Sequence, residues 1–388
     1  MLNSVGNFTV HDDQHIDEAI RQDLSLIVRR VLDLMGDQVV AVVLFGGFGR
    51  GEGGVHVDGL DVHPVNDYDI VIVTREPSFL ARRKYGSRLH RLAKDLARQI
   101  GIKQVDLGLT DKRSLASAPL TIASYELRAG SKVIYGTLDL PNIMPDFDPT
   151  LIPLVEGAKL LFHRGGGLLI ATFYLDENGE VAKENREKFF IECQKALLAM
   201  GDCALLLRGR YVCSYVERGQ LIENVDIDFP QFDLVLSRYK EAIEFKVKPD
   251  FDRLPTGNLA LYFQEIVDLY EKFYKYFEEI RLATQFQTWM DYSYLRLDRE
   301  ICGLVRKAKN LVRNAQKYGL SSLFFPGPFV DPEARLMASL PLLLFQRNDV
   351  SPQLLDRVDQ LLGDNSRSLA EQERWQYLCK KLIRLWHP

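Results

Sequence analysis

The stretch that decides the fold spans residues 39–73, which open as VVAVVLFGGFGRGEGG and close as NDYDIVIV. Residues 39–45 form a continuous apolar, β-branched run that stops at two glycines, as expected for a strand buried on both faces. Residues 68–73 are a second such run, with Asp67 and Asp69 at its entrance. Because side chains alternate along a strand, both aspartates project from one face, about 7 Å apart.

The charge of this aspartate pair predicts a bound cation. Two carboxylates on one face at the edge of a strand repel each other, and they are costly unless cations lie between them. A pair of divalent metal ions bound to the phosphates of a nucleotide would supply that charge. The glycines after the first strand permit positive φ and close backbone approach, so amide groups can face a phosphate. Arg50 adds a cation for a phosphate oxygen, and the stretch therefore predicts metal-dependent phosphoryl chemistry.

A third acidic residue lies on the next predicted strand, over residues 102–110 (IKQVDLGLT). The apolar side chains of this run point one way, so Asp106 points the other way. A single acid among apolar neighbours is expensive without a partner. Placing Asp106 beside Asp67 and Asp69 would complete a metal site of three carboxylates. The alternative is an exposed aspartate on an edge strand.

Two other interpretations of the glycine-rich run remain open at this point. Gly49, Gly51 and Gly54 match the dinucleotide-binding pattern G-x-G-x-x-G. That fingerprint must open a helix, whereas residues 55–65 carry a glycine, a proline and no helical period. The second alternative is a glycine-rich hairpin loop in which the aspartates are ordinary turn residues.

Taken together, these elements resemble the DNA polymerase β-like nucleotidyltransferase superfamily, and in particular its minimal, kanamycin-type branch. The superfamily pattern of hydrophobic-Gly-[Gly/Ser], hydrophobic-Asp-x-Asp-hydrophobic and a later acidic residue is matched here by Phe45-Gly46-Gly47, Asp67-Tyr68-Asp69-Ile70 and Val105-Asp106-Leu107. The run GGFGRGE is also similar to the Gly-Ser-x-Ala-Arg-Gly-Glu run of small bacterial members. The resemblance covers residues 39–136 and departs from the pattern where Gly47 replaces a serine, where Asn66 replaces an apolar residue, and where the loop over residues 53–66 is longer.

The fold class expected from the sequence is α+β. The resemblance implies a nucleotidyltransferase catalytic domain over residues 1–140, with a mixed β-sheet flanked by helices. Four prolines over residues 141–153 mark a domain edge, and helical periods dominate beyond it. We therefore expect a mainly α-helical domain over residues 150–388, with a further division near residues 320–332 as one option. Residues 151–176 are ambiguous, because an apolar helix pattern runs into three glycines and a candidate strand.

The resemblance also implies a reaction and its residues. A nucleoside monophosphate, AMP from ATP, would move to a hydroxyl of an acceptor with release of pyrophosphate, and two Mg²⁺ ions would take part. Asp67, Asp69 and Asp106 would be the metal ligands and catalytic residues, and Asp106 would accept the hydroxyl proton. The triphosphate would be held by Gly46, Gly47, Arg50 and Lys240. For Lys240, the alternative is a surface ion pair.

The acceptor is predicted from charge. The net charge of -4 exerts no general pull on nucleic acid, so a small-molecule acceptor is favoured over RNA or a protein. One helix, predicted over residues 77–101, carries seven cations, and an RNA acceptor would become the better prediction if that basic face lined the cleft. A regulatory nucleotide-binding module without catalysis is the alternative from another class.

Composition sets the remaining bounds. A hydrophobic fraction of 46% and a charged fraction of 26% are those of a globular protein, and no apolar run is long enough to span a bilayer. Five cysteines without close pairing fit a reducing compartment. We therefore expect a cytoplasmic protein that does not act at a membrane.

Overall fold

The computed structural model describes residues 2–3, 6–255, 257–298, 304–319 and 328–386. Its elements in chain order are α1 (Gln14–Met35), β1 (Val39–Phe45), α2 (Gly46–Arg50), β2 (Val55–Asp58), β3 (Asp61–Pro64), β4 (Tyr68–Thr74), α3 (Ser78–Ile100), β5 (Val105–Asp111), α4 (Lys112–Ala116), α5 (Ile122–Ala129), β6 (Lys132–Gly136), α6 (Leu140–Ile143), α7 (Leu154–Thr172), α8 (Lys183–Leu207), α9 (Tyr215–Leu221), α10 (Phe232–Val247), α11 (Leu259–Leu282), α12 (Trp289–Asp298), α13 (Leu304–Tyr318), α14 (Pro332–Leu344), α15 (Pro352–Leu362) and α16 (Glu371–Trp386). The sheet lies in the N-terminal part and the C-terminal part is helical, which confirms the predicted α+β class.

The main sheet has four strands in the order β5-β4-β1-β6. Strand β1 pairs antiparallel with both β4 and β6, whereas β4 and β5 are parallel, so the sheet is mixed as predicted. A parallel pair needs a crossover, and α3 provides it. The predicted long loop over residues 53–66 folds as a separate two-stranded hairpin of β2 and β3.

Each face of the main sheet packs against its own set of helices. On one face, Val42, Leu44 and Ile70 belong to a core that includes the buried sides of α1 and α3. On the other face, Ala41 and Val43 pack with residues of α4 and α6. Side chains alternate along β1 from Ala41 onward, and the register shift between Val39 and Ala41 reverses the pattern, so that Val39 joins the first core and Val40 packs against the second. This division explains why β1 is a continuous apolar run.

The chain divides into two compact units. The first comprises residues 1–156, 204–227 and 236–253, and the second comprises residues 157–203, 228–235 and 254–388. The first unit therefore reaches beyond the predicted domain of residues 1–140, and it includes two segments from the region predicted as a separate helical domain. The predicted division near residues 320–332 lies partly outside the described residues, which omit 320–327.

Helix α7 resolves the ambiguity over residues 151–176, where the sequence pattern allowed a helix that ends at three glycines and a strand after them. Residues 165–167 are three glycines inside one continuous helix, and no strand follows them within α7. A Cβ on Gly166 would lie 2.5 Å from the ring of Trp386, and one on Gly165 would lie 2.8 Å from Leu340. The glycines therefore allow close helix packing, which outweighs their low helix propensity. Among the described residues, no helix is both long enough and apolar enough to cross a membrane.

Candidate functional site

The acidic residues meet at one edge of the main sheet. In the parallel pairing of β4 and β5, Asp69 is the register partner of Asp106. Asp67 lies one residue before β4, on the face to which Asp69 belongs. Asp106 is exposed while its neighbours Val105 and Leu109 are buried, so the predicted alternation along this strand is confirmed. The register thus brings together on one sheet face the residues that the sequence singled out.

Asp69 is the most strongly perturbed member of this group. Burial raises the pKa of Asp69 to about 7, and the carboxylates of Asp106 and Asp67 push it in the same direction. Lys246 and Arg50 oppose this rise without cancelling it. The ionised form of Asp69 is therefore disfavoured, chiefly by burial and also by two neighbouring carboxylates, and a cation bound beside it would favour that form.

Gly46 is required where β1 ends. Its φ is +66°, and a Cβ at this position would lie 2.1 Å from Oδ2 of Asp69. Phe45, the preceding residue, is the register partner of Asp69 across β1 and β4. The carboxylate of Asp69 therefore lies directly against the glycine backbone, and no other residue type leaves room for it. Gly47, the second predicted contact, is buried in α2.

The later glycines of the run serve packing within the first unit. A Cβ on Gly49 would lie 2.7 Å from the carbonyl oxygen of Leu44, and one on Gly54 would lie 2.7 Å from the carbonyl oxygen of Lys246. Gly54 thus lets the end of α10 approach closely, and the Lys246 side chain acts on the charge of Asp69. Sequence reasoning missed Lys246. Its position on α10 offers no local signal, because only the tertiary contact at Gly54 identifies it.

Lys240, the predicted phosphate contact, is on the same helix in a different setting. Its ammonium pairs with the carboxylate of Glu223, and both side chains are about half exposed. Lys246 is among the charges that act most strongly on the pKa of Asp69. The prediction for Lys240 remains a prediction, and Lys246 is the lysine of α10 that is placed near the acidic residues.

Arg50 lies in a buried ion-pair network. Its Nε is 3.4 Å from Oε2 of Glu52, and its Nη1 is 3.1 Å from Oε2 of Glu126. Glu52 in turn accepts hydrogen bonds from the Ser214 hydroxyl at 2.5 Å and from the Tyr215 amide at 2.9 Å, so it caps the start of α9. The Arg50 guanidinium is thus already engaged by protein carboxylates, and its predicted contact with a triphosphate would have to be shared with them.

Glu126 is the centre of this network. The Tyr211 hydroxyl donates to its Oε1 at 2.6 Å, and the fully buried Arg218 pairs with the same oxygen. Burial alone would raise the pKa of Glu126, but Arg50 and Arg218 hold it below its ordinary value. The network therefore keeps Glu126 ionised and joins residues 204–227 to the sheet domain.

A metal ion would find hard oxygen ligands at the sheet edge. Carboxylates are the ligand type that Mg²⁺ prefers, and Mg²⁺ is usually held by one or two carboxylates together with substrate phosphates and water. Among the described residues, no three or more His, Cys, Asp or Glu side chains form a ready-made metal site. The carboxylate oxygens of Asp67, Asp69 and Asp106 are donors of the type that Mg²⁺ takes, although the three do not form such a group in this structure.

One rival interpretation is excluded by the local structure. A dinucleotide-binding fingerprint requires a helix directly after Gly54, whereas strand β2 begins at Val55. The dinucleotide interpretation is therefore wrong. The interpretation of Asp69 as a turn residue is also wrong, because Asp69 is paired on both sides within the sheet.

Comparison with known proteins adds no identification. No family model matches the chain, and no curated protein and no solved structure matches it. The function must therefore be argued from the residues of this chain.

The role of Gly46 gives a testable prediction. We expect Gly46→Ala to lower the free energy of unfolding by about 2–4 kcal/mol, because it combines a positive φ with a collision against Asp69. Gly59→Ala is the matched control, since Gly59 has a φ of +61° and open space around its Cβ position. We expect the control to cost about 1 kcal/mol. Urea denaturation measures both, and equal losses would show that the contact with Asp69 contributes nothing.

Proposed function

We propose that the protein is a magnesium-dependent nucleotidyltransferase that moves a nucleoside monophosphate from a nucleoside triphosphate, ATP in the first instance, to a hydroxyl group. The observation that carries the proposal is the pairing of Asp69 with Asp106 on adjacent parallel strands, with the charge of Asp67 also acting on Asp69. The raised pKa of Asp69 supports it, because a carboxylate that is costly when ionised alone becomes favourable beside a cation. The resemblance to the polymerase β-like superfamily agrees with this arrangement.

Each residue would have a defined part. Asp67 and Asp69 would hold Mg²⁺ at the β- and γ-phosphates, and Asp106 together with them would hold Mg²⁺ at the α-phosphate. The bound metal supplies charge neutralisation and lowers the pKa of the acceptor hydroxyl. Lys246 would add a positive charge beside the phosphates. The backbone amides at Gly46 and Gly47 would face the phosphates.

The reaction is a displacement at the α-phosphorus. The acceptor hydroxyl loses its proton to Asp106, and its oxygen forms the new bond to the α-phosphorus. The bond from that phosphorus to the bridging oxygen breaks, and the electron pair leaves with pyrophosphate. The products are the acceptor carrying a nucleoside monophosphate, a proton on the base, and pyrophosphate.

A small-molecule acceptor agrees best with the position of the basic helix. The buried side of α3 belongs to the core on the face that includes Ile70, whereas Asp69 is on the alternate face of β4. The basic face of α3 therefore does not line the surface on which the carboxylates lie. This placement supports a hydroxyl-bearing small molecule as the acceptor, which is our proposal, and RNA is the alternative.

The test compares nucleotide binding and turnover in matched variants. The wild type, Asp67→Asn/Asp69→Asn and Asp37→Asn/Asp95→Asn are incubated with α-phosphate-labelled nucleoside triphosphates, with and without Mg²⁺. Asp37 and Asp95 are exposed aspartates of the same unit, so their removal changes the net charge equally. Equilibrium dialysis measures binding, and pyrophosphate release measures turnover with a panel of hydroxyl compounds.

We expect Mg²⁺-dependent binding by the wild type and by the control, and a loss of at least about 100-fold in the site variant. Label transfer that the site variant abolishes would establish the reaction. The nucleoside triphosphate that gives this transfer would identify the preferred nucleobase. Absence of Mg²⁺-dependent nucleotide binding in the wild type would overturn the proposal. Binding that the site variant retains in full would also overturn it.

A further inference from the structure

Helix α3 carries the largest net positive charge of any single element among the described residues. Its sequence contains seven cations and one carboxylate, although the whole chain has a net charge of -4. The cations are Arg82, Arg83, Lys84, Arg88, Arg91, Lys94 and Arg98. Net charge averaged over the chain therefore conceals a local excess of six positive charges.

The cations share one side of the helix. At 100° per residue, the six from Arg83 to Arg98 fall within an arc of about 140°. The buried residues of α3, among them Tyr85, Leu89 and Leu96, fall on a different arc and pack into the core. From Arg83 to Arg98 the cationic face is about 22 Å long. It is a straight and rigid row of charge that points away from the sheet.

Few of these charges are neutralised by the protein. Lys84 pairs with Glu76, and Arg98 pairs with Asp95, both at exposed positions. Arg83, Arg91 and Lys94 are exposed and have no ion pair with any carboxylate of the described residues. Exposed pairs are worth little and exchange readily, so most of the face is available to an external anion.

The side chains exposed on α3 indicate which kind of anionic ligand its cationic face can bind. An anionic membrane is bound more tightly when apolar side chains insert beside the cations, and α3 exposes large apolar residues only at Phe79 and Leu80, before the cationic row begins. Single-stranded nucleic acid requires an exposed aromatic platform for its bases, and Tyr85 is only 6% exposed. A duplex keeps its bases stacked inside and presents phosphates alone, at about one charge per 1.7 Å of its axis.

We propose that the cationic face of α3 binds double-stranded DNA through its phosphodiester backbone. Duplex RNA is recognised in large part through its 2′-hydroxyls by polar side chains, whereas this face supplies almost only arginine and lysine. The contact is independent of base sequence, since the cations meet phosphates and not base edges. The surface is separate from the carboxylates, because α3 covers the opposite face of the sheet from Asp69.

Fluorescence anisotropy with a labelled 20-base-pair DNA duplex, without nucleotide, tests the proposal. The variant is Arg83→Gln/Arg91→Gln/Lys94→Gln. The control is Lys183→Gln/Lys188→Gln/Lys272→Gln, which removes three exposed cations from the second unit and changes the net charge equally. Each protein is titrated from 50 to 200 mM salt. Parallel arms use a duplex RNA, a single strand of the same sequence, and vesicles containing phosphatidylserine.

We expect micromolar binding of the wild type at the lowest salt, an affinity at least tenfold weaker in the α3 variant, and less than a twofold change in the control. The slope of log K against log salt should become shallower by about 2–3 in the α3 variant alone. Equal affinities for the two variants, or no binding at the lowest salt, would overturn the proposal. Preferential binding of duplex RNA, single strands or vesicles would assign the face to that ligand instead. None of these outcomes depends on nucleotidyl transfer.

Discussion

Asp69→Asn is expected to make the metal-free protein more stable at pH 8 and to abolish the nucleotidyl transfer that we propose. Burial and the neighbouring carboxylates raise the pKa of Asp69 from 3.8 to about 7, so ionising this group in the native state is unfavourable. A shift of this size corresponds to at most about 4 kcal/mol of lost stability above pH 7. Asparagine has nearly the same shape and no charge, so the variant avoids this loss.

The sign of the effect fixes its pH dependence. Between pH 3.8 and about 7 the native state binds more protons at Asp69 than the unfolded state does, so wild-type stability falls as the pH rises through this window. Below this window both states are protonated at Asp69, and the variant should have no advantage. Urea denaturation at pH 4, 6 and 8 should therefore show that the free energy of unfolding of the variant exceeds that of the wild type by an amount that grows with pH. We call this difference the gap.

The second part of this experiment compares the stability of the same two proteins after Mg²⁺ and a nucleotide are added. Added Mg²⁺ with a nucleotide should stabilise the wild type by mass action and leave the variant unchanged, which narrows or reverses the gap at pH 8. Asp95→Asn is the control, since Asp95 is an exposed aspartate paired with Arg98 and should shift stability by less than about 0.5 kcal/mol. A gap that is the same at every pH would contradict the account given for Asp69.

The second large effect is expected at Arg218. Its side chain is fully buried, and it donates through Nε to the carbonyl oxygen of Val212 at 2.7 Å and through Nη2 to that of Cys213 at 3.0 Å. It also pairs with Glu126 and stacks over the ring of Tyr211 at 4.1 Å. Arg218→Met keeps a long apolar side chain but leaves a carboxylate and two carbonyls short of donors. We expect a loss of about 3–5 kcal/mol in the free energy of unfolding.

Two further variants test whether the loss of stability comes from the buried pairing of Arg218 with Glu126. Arg238→Met removes an exposed arginine that pairs with Glu241, and it should cost less than about 1 kcal/mol. Arg218→Met/Glu126→Gln removes the charge from both partners, and it should cost less than the sum of the single changes. Urea denaturation followed by circular dichroism measures all of them. If Arg218→Met lowered the free energy of unfolding by no more than Arg238→Met does, the buried network would not contribute more to stability than an exposed ion pair.

The strands and the acidic residues could be predicted because their signals are local. Continuous apolar runs identified β1 and β4, and simple alternation put Asp106 on the polar side of β5. The contacts of Lys246 could not be predicted in this way. Lys240 and Lys246 are six positions apart on α10, about 120° around the helix, and only the approach of Gly54 distinguishes them.

Long-range packing also explains the other differences. The glycines of α7 favour a break by local propensity, but their neighbours, such as Trp386, lie far away in the sequence. The sequence predicts Arg50 as a phosphate ligand, but it cannot show the carboxylate partner Glu126, which lies 76 positions away. A single sequence shows the type of each residue, but it does not show which distant residue that side chain contacts.

The first unit has a consequence for synthesis of the chain. Glu52 caps α9 from 162 positions away, so the sheet emerges from the ribosome long before the segment that completes its buried charges. Residues 157–253 must follow before the last segment of the unit is available. At about 5–20 residues per second this is a delay of about 5–20 s. Until residues 211–218 are synthesised, Glu52 and Glu126 lack their partners Ser214, Tyr211 and Arg218, although the strands of the sheet are already present.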